Sequence, residues 1–153
     1  MTDIVASLKF QQRPSPVLAE HRPLYKICQL LLVLYLASRG GKSRLPRLHL
    51  FNWALKSSER SSQLVRAAKE KVLRVSAWGF DPALAIAVRF AIAEGLIREV
   101  STGYELTDKG TLLAKDVVKA SDVFVNEKEA LLEIGKGISE AMVEAVAKGW
   151  EAA

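Results

Sequence analysis

Residues 27–37 are apolar at nearly every position, and the segment around them, PLYKICQLLLVLYLAS, predicts a helix over about 23–38 that is buried on all sides. The Gly40-Gly41 pair stops it. The next segment, RLPRLHLFNWALK (about 45–57), sets Leu45, Leu48, Phe51 or Asn52, and Leu55 at helical spacing, with Ser43 as the expected cap and Pro46 in the first turn. A basic helix over about 59–75 follows, with Leu64, Val65, Ala68, Val72 and Val75 on its inner side. Asp81-Pro82 starts another helix and Glu94-Gly95 stops it, because Asp caps, Pro fits the first turn and Gly ends helices readily. Within it Leu84, Val88 and Ile92 form one apolar stripe, and Ile86 with Phe90 a second on roughly the opposite face. Residues 96–100 and 104–107 read as short strands joined by Ser101-Thr102-Gly103, a three-residue hairpin loop with glycine last. Thr107 or Asp108 then caps a helix over about 108–120. From 122 to 151, Phe124, Leu131, Ile134, Ile138, Met142, Val146 and Trp150 fall on one helical stripe, which Gly135 and Gly137 split in two. Ahead of all this, Pro14 and Pro16 predict an extended arm over 1–22. Its Ile4, Val5, Leu8, Phe10, Val17 and Leu18 are expected to lie against the domain or a partner.

Charge changes this picture. The net charge is +5 over 153 residues, but it is unevenly spread. Residues 39–74 carry ten Lys and Arg against Glu59 and Glu70, whereas residues 105–153 carry six Lys against ten acids. The basic stretch offers Arg39, Lys42, Arg44, Arg47, Lys56, Arg60, Arg66 and Lys69 as candidates for contact with DNA phosphates. The same stretch could equally be a solvated face or a match for an acidic partner. Candidate chemistry is sparse. Gly41-Lys42-Ser43 imitates the tail of a phosphate-binding loop, but the required upstream glycine is Leu36 and no strand precedes it. Cys28 is alone, and His21 and His49 have no carboxylate or thiol spaced to complete a metal site. No cofactor, metal, small-molecule substrate or catalytic group is expected. The segment MTDIVASLKF has no apolar core for a secretory signal, and the 27–37 run is too short for a bilayer, so a cytoplasmic location is expected.

The stretch EGLIREVSTGYELTDKG, residues 94–110, resembles the hairpin and exit helix of winged helix-turn-helix proteins. Gly95, Leu96, Ile97, Gly103, Tyr104, Leu106, Thr107, Lys109 and Gly110 carry the resemblance. It implies a mostly α fold with a small β-hairpin wing. The winged-helix domain would span 23–120, with an extra helix after its second and a C-terminal helical extension over 121–153. The 82–94 helix then occupies the position that reads bases in DNA. Reading base edges needs hydrogen-bonding side chains, and only Arg89 qualifies there; the hairpin tip has no cation either. The two apolar faces of this helix point to packing on its own core on one side and on a protein partner on the other; the alternative is that the remaining helices of the chain bury both stripes. Leu84, Ile86, Val88 and Phe90, together with the stripe Phe124, Leu131, Ile134, Ile138, Met142, Val146 and Trp150, are the docking candidates.

Residues 22–57, RPLYKICQLLLVLYLASRGGKSRLPRLHLFNWALKS, resemble the small middle component of bacterial three-component ABC-ATPase systems. The resemblance rests on the Arg-Pro-Leu-Tyr opening, the apolar helix, the Arg-Gly-Gly-Lys turn and the segment Leu48-His49-Leu50-Phe51-Asn52-Trp53-Ala54. It implies a non-enzymatic adaptor that joins an SMC-like ATPase to an effector protein in anti-phage and anti-plasmid defence, with sequence-independent DNA backbone contact as a further expectation. The alternative is a homodimeric winged-helix transcriptional regulator.

Overall fold

The computed structural model describes residues 23–152, with side chains described through 150; the arm expected over 1–22 lies outside the described residues. Helix α1 (Pro23–Leu36) is the axis of the molecule. Its residues from Lys26 to Leu34 are all buried, and four of the later helices and the hairpin pack around it, as its nearly continuous hydrophobicity requires. Ser38 Oγ closes the helix by donating to Val33 O at 2.9 Å. A 3-10 turn, Arg39–Gly41, and a two-residue strand β1, Lys42–Ser43, lead into α2 (Leu45–Ala54) and α3 (Ser58–Glu70). An irregular connector over 71–81 reaches α4 (Pro82–Ala93). The strands β2 (Ile97–Val100) and β3 (Gly103–Leu106) follow, then α5 (Asp108–Lys119), α6 (Val125–Ile134) and α7 (Glu140–Ala152). The chain is thus mostly helical with a three-stranded antiparallel sheet of order β1-β3-β2.

The sequence pattern misses β1, since two residues cannot display a period. Lys42 pairs with Glu105 and Ser43 with Tyr104, which lays β1 along β3. Gly103 is required by that pairing: a Cβ on it would lie 2.3 Å from Ser43 O. The hairpin register joins Val100 to Gly103, so the turn has two residues, Ser101 and Thr102, and Gly103 belongs to the strand. The expected Ser43 cap is also displaced. Arg44 occupies the N-cap of α2 with no side-chain cap, because Ser43 is held in the sheet and its hydroxyl donates to Arg44 O.

The residues that carry the sequence resemblance at 94–110 form a lock between α4, the hairpin and α5. Thr107 Oγ1 accepts from Gly110 N at 3.1 Å and donates to Gly95 O at 2.5 Å. Thr107 N donates to Leu96 O at 3.1 Å, and Lys109 Nζ reaches Glu94 O at 2.7 Å. Gly110 lets α5 come so close that an added Cβ would sit 1.9 Å from Leu96 O.

Helix α3 ends earlier than its apolar spacing predicts. Lys71 is left-handed (φ 63°), and beyond it Leu73 and Val75 are buried while Val72 is 46% exposed. That alternation has the period of extended chain, not of a helix. Trp78 pins the connector by donating from Nε1 to Pro46 O at 3.0 Å, and Trp150 on α7 packs edge-on against it at 4.7 Å.

Candidate interaction surfaces

Helix α4 separates its two stripes cleanly at one end. Leu84, Ala87, Val88 and Ala91 are buried toward α1, whereas Ile86 is 40% and Phe90 49% exposed. Ile92, placed by its spacing on the stripe of Leu84 and Val88, is 38% exposed. At about 100° per residue it lies roughly 80° round from Leu84, so the four-residue repeat has drifted off the core by the last turn. Leu84 and Val88 are therefore core residues and drop out of the docking candidates. The outward arc consists of Ile86, Arg89, Phe90 and Ile92 with Ala85 and Ala93 between them. The hairpin tip, Ser101-Thr102, is exposed and uncharged.

The C-terminal stripe is a second correction. Leu131, Ile134 and Ile138 are fully buried, and Met142 and Val146 pack half-buried against the same core. Phe124, in a left-handed conformation at the start of α6, stacks on Tyr25 of α1 at 4.8 Å. Trp150 is 43% exposed but holds Trp78 and donates to Ser76 O at 2.6 Å. A single amphipathic stripe does not say which surface it meets. Here α6 meets α1 and α3, and α7 meets α2, all within the chain.

The basic candidates divide in the same way. Arg47 is 3% exposed and cannot meet a phosphate. Its Nε donates to Ile138 O at 2.8 Å and its terminal nitrogens to Ser38 Oγ and Ala37 O. Burial lowers its pKa to about 10, opposed by Glu140. Arg44 pairs with Glu144 at 3.0 Å, Lys56 with Asp81 at 3.3 Å, and Arg60 lies over the Trp53 ring at 4.8 Å. Arg39, Lys42, Arg66 and Lys69 are exposed and have no ion pair among the described residues.

A buried polar cluster at the start of α4 escaped the sequence reading. Lys26, 2% exposed, donates to Asn52 Oδ1 at 2.7 Å, and Asn52 Nδ2 donates to Asp81 Oδ2 at 2.9 Å. Asp81 caps α4 through Ala83 N at 2.9 Å, and its own amide donates to His49 Nδ1 at 3.3 Å. Burial pushes the Asp81 carboxyl up, but Asn52, the Ala83 amide and Lys56 outweigh it and hold the pKa near about 2. Burial lowers the His49 pKa, and Asp81 opposes that shift. His49 Nε2 is buried with no hydrogen-bond partner among the described residues. The cluster ties α1, α2 and the end of the connector together. His49 meets the Asp81 amide and not its carboxylate, which faces Asn52, Lys26 and Lys56. Among the described residues no group of His, Cys, Asp or Glu could hold a metal ion, and no helix is long and apolar enough to cross a membrane. The Cys28 thiol is buried in the core, which pushes its pKa up to about 12.

No known family model matches this chain, and comparison with curated proteins and with solved structures finds no match either.

Proposed function

We propose that this protein is a non-catalytic winged-helix adaptor, and that it serves as the middle subunit between an SMC-like ATPase and an effector in a bacterial defence complex. The winged-helix reading is supported by the order of elements: a helix, a short strand, further helices, then a hairpin whose second strand pairs with that short strand. The adaptor reading is carried by one observation. The helix just before the hairpin, which would read bases in a DNA-binding member of the fold, presents Ile86, Phe90 and Ile92 to solvent and offers only Arg89 for hydrogen bonds to bases. Apolar residues grouped on one exposed arc are what a protein partner buries, with each fully covered side chain worth about 1.5–3 kcal/mol. The SMC-like ATPase as partner comes from the resemblance of residues 22–57.

The test is gentle purification of the tagged full chain from its native cell, followed by mass spectrometry of the proteins that accompany it. A large ATPase in fixed ratio is the expected result, and it should be lost in the Ile86→Asp/Phe90→Asp double variant. A homodimer that carries one preferred DNA sequence would establish the transcriptional regulator instead.

A further inference from the structure

The basic residues of the 39–44 segment are joined in space by a cation from the far end of the chain. A cleft of about 400 Å³ opens between the 3-10 turn, β1, the hairpin tip and the loop before α7. Arg39, Lys42 and Lys136 line it, all three exposed and without an ion pair among the described residues. Two further arginines and one carboxylate, Glu140, also line it. Arg44 turns to Glu144, and the buried guanidinium of Arg47, held by carbonyls and Ser38, is set against Glu140, which also accepts from Arg44 N at 3.0 Å. Tyr104, half-buried on β3, supplies an aromatic side chain to the same wall, and Thr102 at the rim a hydroxyl.

We propose that this cleft receives one nucleotide unit of single-stranded nucleic acid, its phosphate held by Arg39, Lys42 and Lys136 and its base against Tyr104. The size fits a small-ligand site, for which about 300–1,000 Å³ is usual. Cations along a groove with an aromatic beside them bind single strands without sequence preference, because every base has a stacking face. The rim residues Arg39, Lys42 and Thr102 are open to solvent, so a strand can enter and leave the recess. The site uses none of the α4 arc, so its failure would leave the adaptor reading standing.

The experiment is fluorescence anisotropy of a labelled oligo-dT with the full chain, titrated across a range of salt. Wild type should bind, and Lys136→Glu and Lys42→Glu should each weaken binding about tenfold and flatten the dependence of log K on log salt by about 0.7. Lys115→Glu, exposed on α5 away from the cleft, makes the same change in net charge and should alter affinity less than about twofold. Tyr104→Leu, checked for folding by circular dichroism, should weaken binding severalfold. Equal losses from Lys115→Glu and Lys136→Glu would mean bulk attraction and overturn the proposal, as would no oligo-dT binding at low salt. Complete displacement by equimolar dTMP would assign the cleft to a free nucleotide and overturn the strand.

Discussion

Arg47 and His49 sit one turn apart from Phe51 and Trp53 in a segment whose charge and aromatics suggest a surface, yet both are buried. Arg47 serves as an internal bracket, satisfying carbonyls at Ala37 and Ile138 that would otherwise end α1 and precede α7 unpaired. Arg47→Met should therefore cost about 2–5 kcal/mol in urea unfolding, since each orphaned buried polar group costs about 1–3 kcal/mol. Arg66→Ala, exposed on α3, should stay within about 0.5 kcal/mol. His49 gives a pH signature. Burial depresses its folded pKa below the ordinary 6.5, so the unfolded chain takes up the proton first. Its contribution is complete above about pH 6.5 and declines as pH falls from there toward the depressed folded value. Urea midpoints at pH 7.5 and 5.5 should differ for wild type and differ less for His49→Gln. Asp81, held at about 2, loses its contribution only below about pH 4. An equal drop in both proteins would place the sensitivity in another group.

At the scale of elements, helices were legible wherever caps and periods agreed. Asp81-Pro82, Thr107 and the Gly95 stop sit where the sequence places them. Two things were not legible. The β1 strand exists only through its pairing with β3, which is a non-local fact. The end of α3 was hidden because Val72 and Val75 continue the helical spacing of Leu64 and Ala68, whereas the chain turns at the left-handed Lys71 and buries Leu73 and Val75 instead. Of the candidate docking residues, the sequence could state that α4 has two apolar stripes but not which one the core claims; the alanines at 87 and 91 make room for α1 on that side. The two faces should respond oppositely. Phe90→Asp should leave thermal unfolding nearly unchanged, while Val88→Asp buries an unpaired carboxylate and should unfold the domain. Gly110→Ala tests the lock at the base of the hairpin: with Leu96 O 1.9 Å from the new methyl, it should cost about 1–3 kcal/mol or more by overpacking, read as a lowered urea midpoint.

Across the whole molecule, the basic middle meets the acidic end of the sequence at one place, where α7 docks on α2. Arg44 meets Glu144 and Glu140, and Arg47 feels Glu140, so the charge asymmetry is partly spent in docking α7 on α2. Among the cations without an ion pair in the described residues, Arg39, Lys42 and Lys136 share one cleft and are drawn from both halves of the charge pattern. The C-terminal residues, which read from sequence as an extension with a docking stripe, instead complete the core: Val143 is 2% exposed and Trp150 covers Trp78. Removing residues 140–153 should then do two things together. It should lower stability by several kcal/mol, since burial of Val143 and the Trp78–Trp150 contact alone contribute about 2–4 kcal/mol. It should also free Arg44 and raise salt-dependent binding to random DNA, because the chain loses Glu140, Glu144 and Glu151 against only Lys148. A truncated chain that keeps its urea midpoint would show that α7 is an appendage after all, and its stripe would return to the set of surfaces open to a partner.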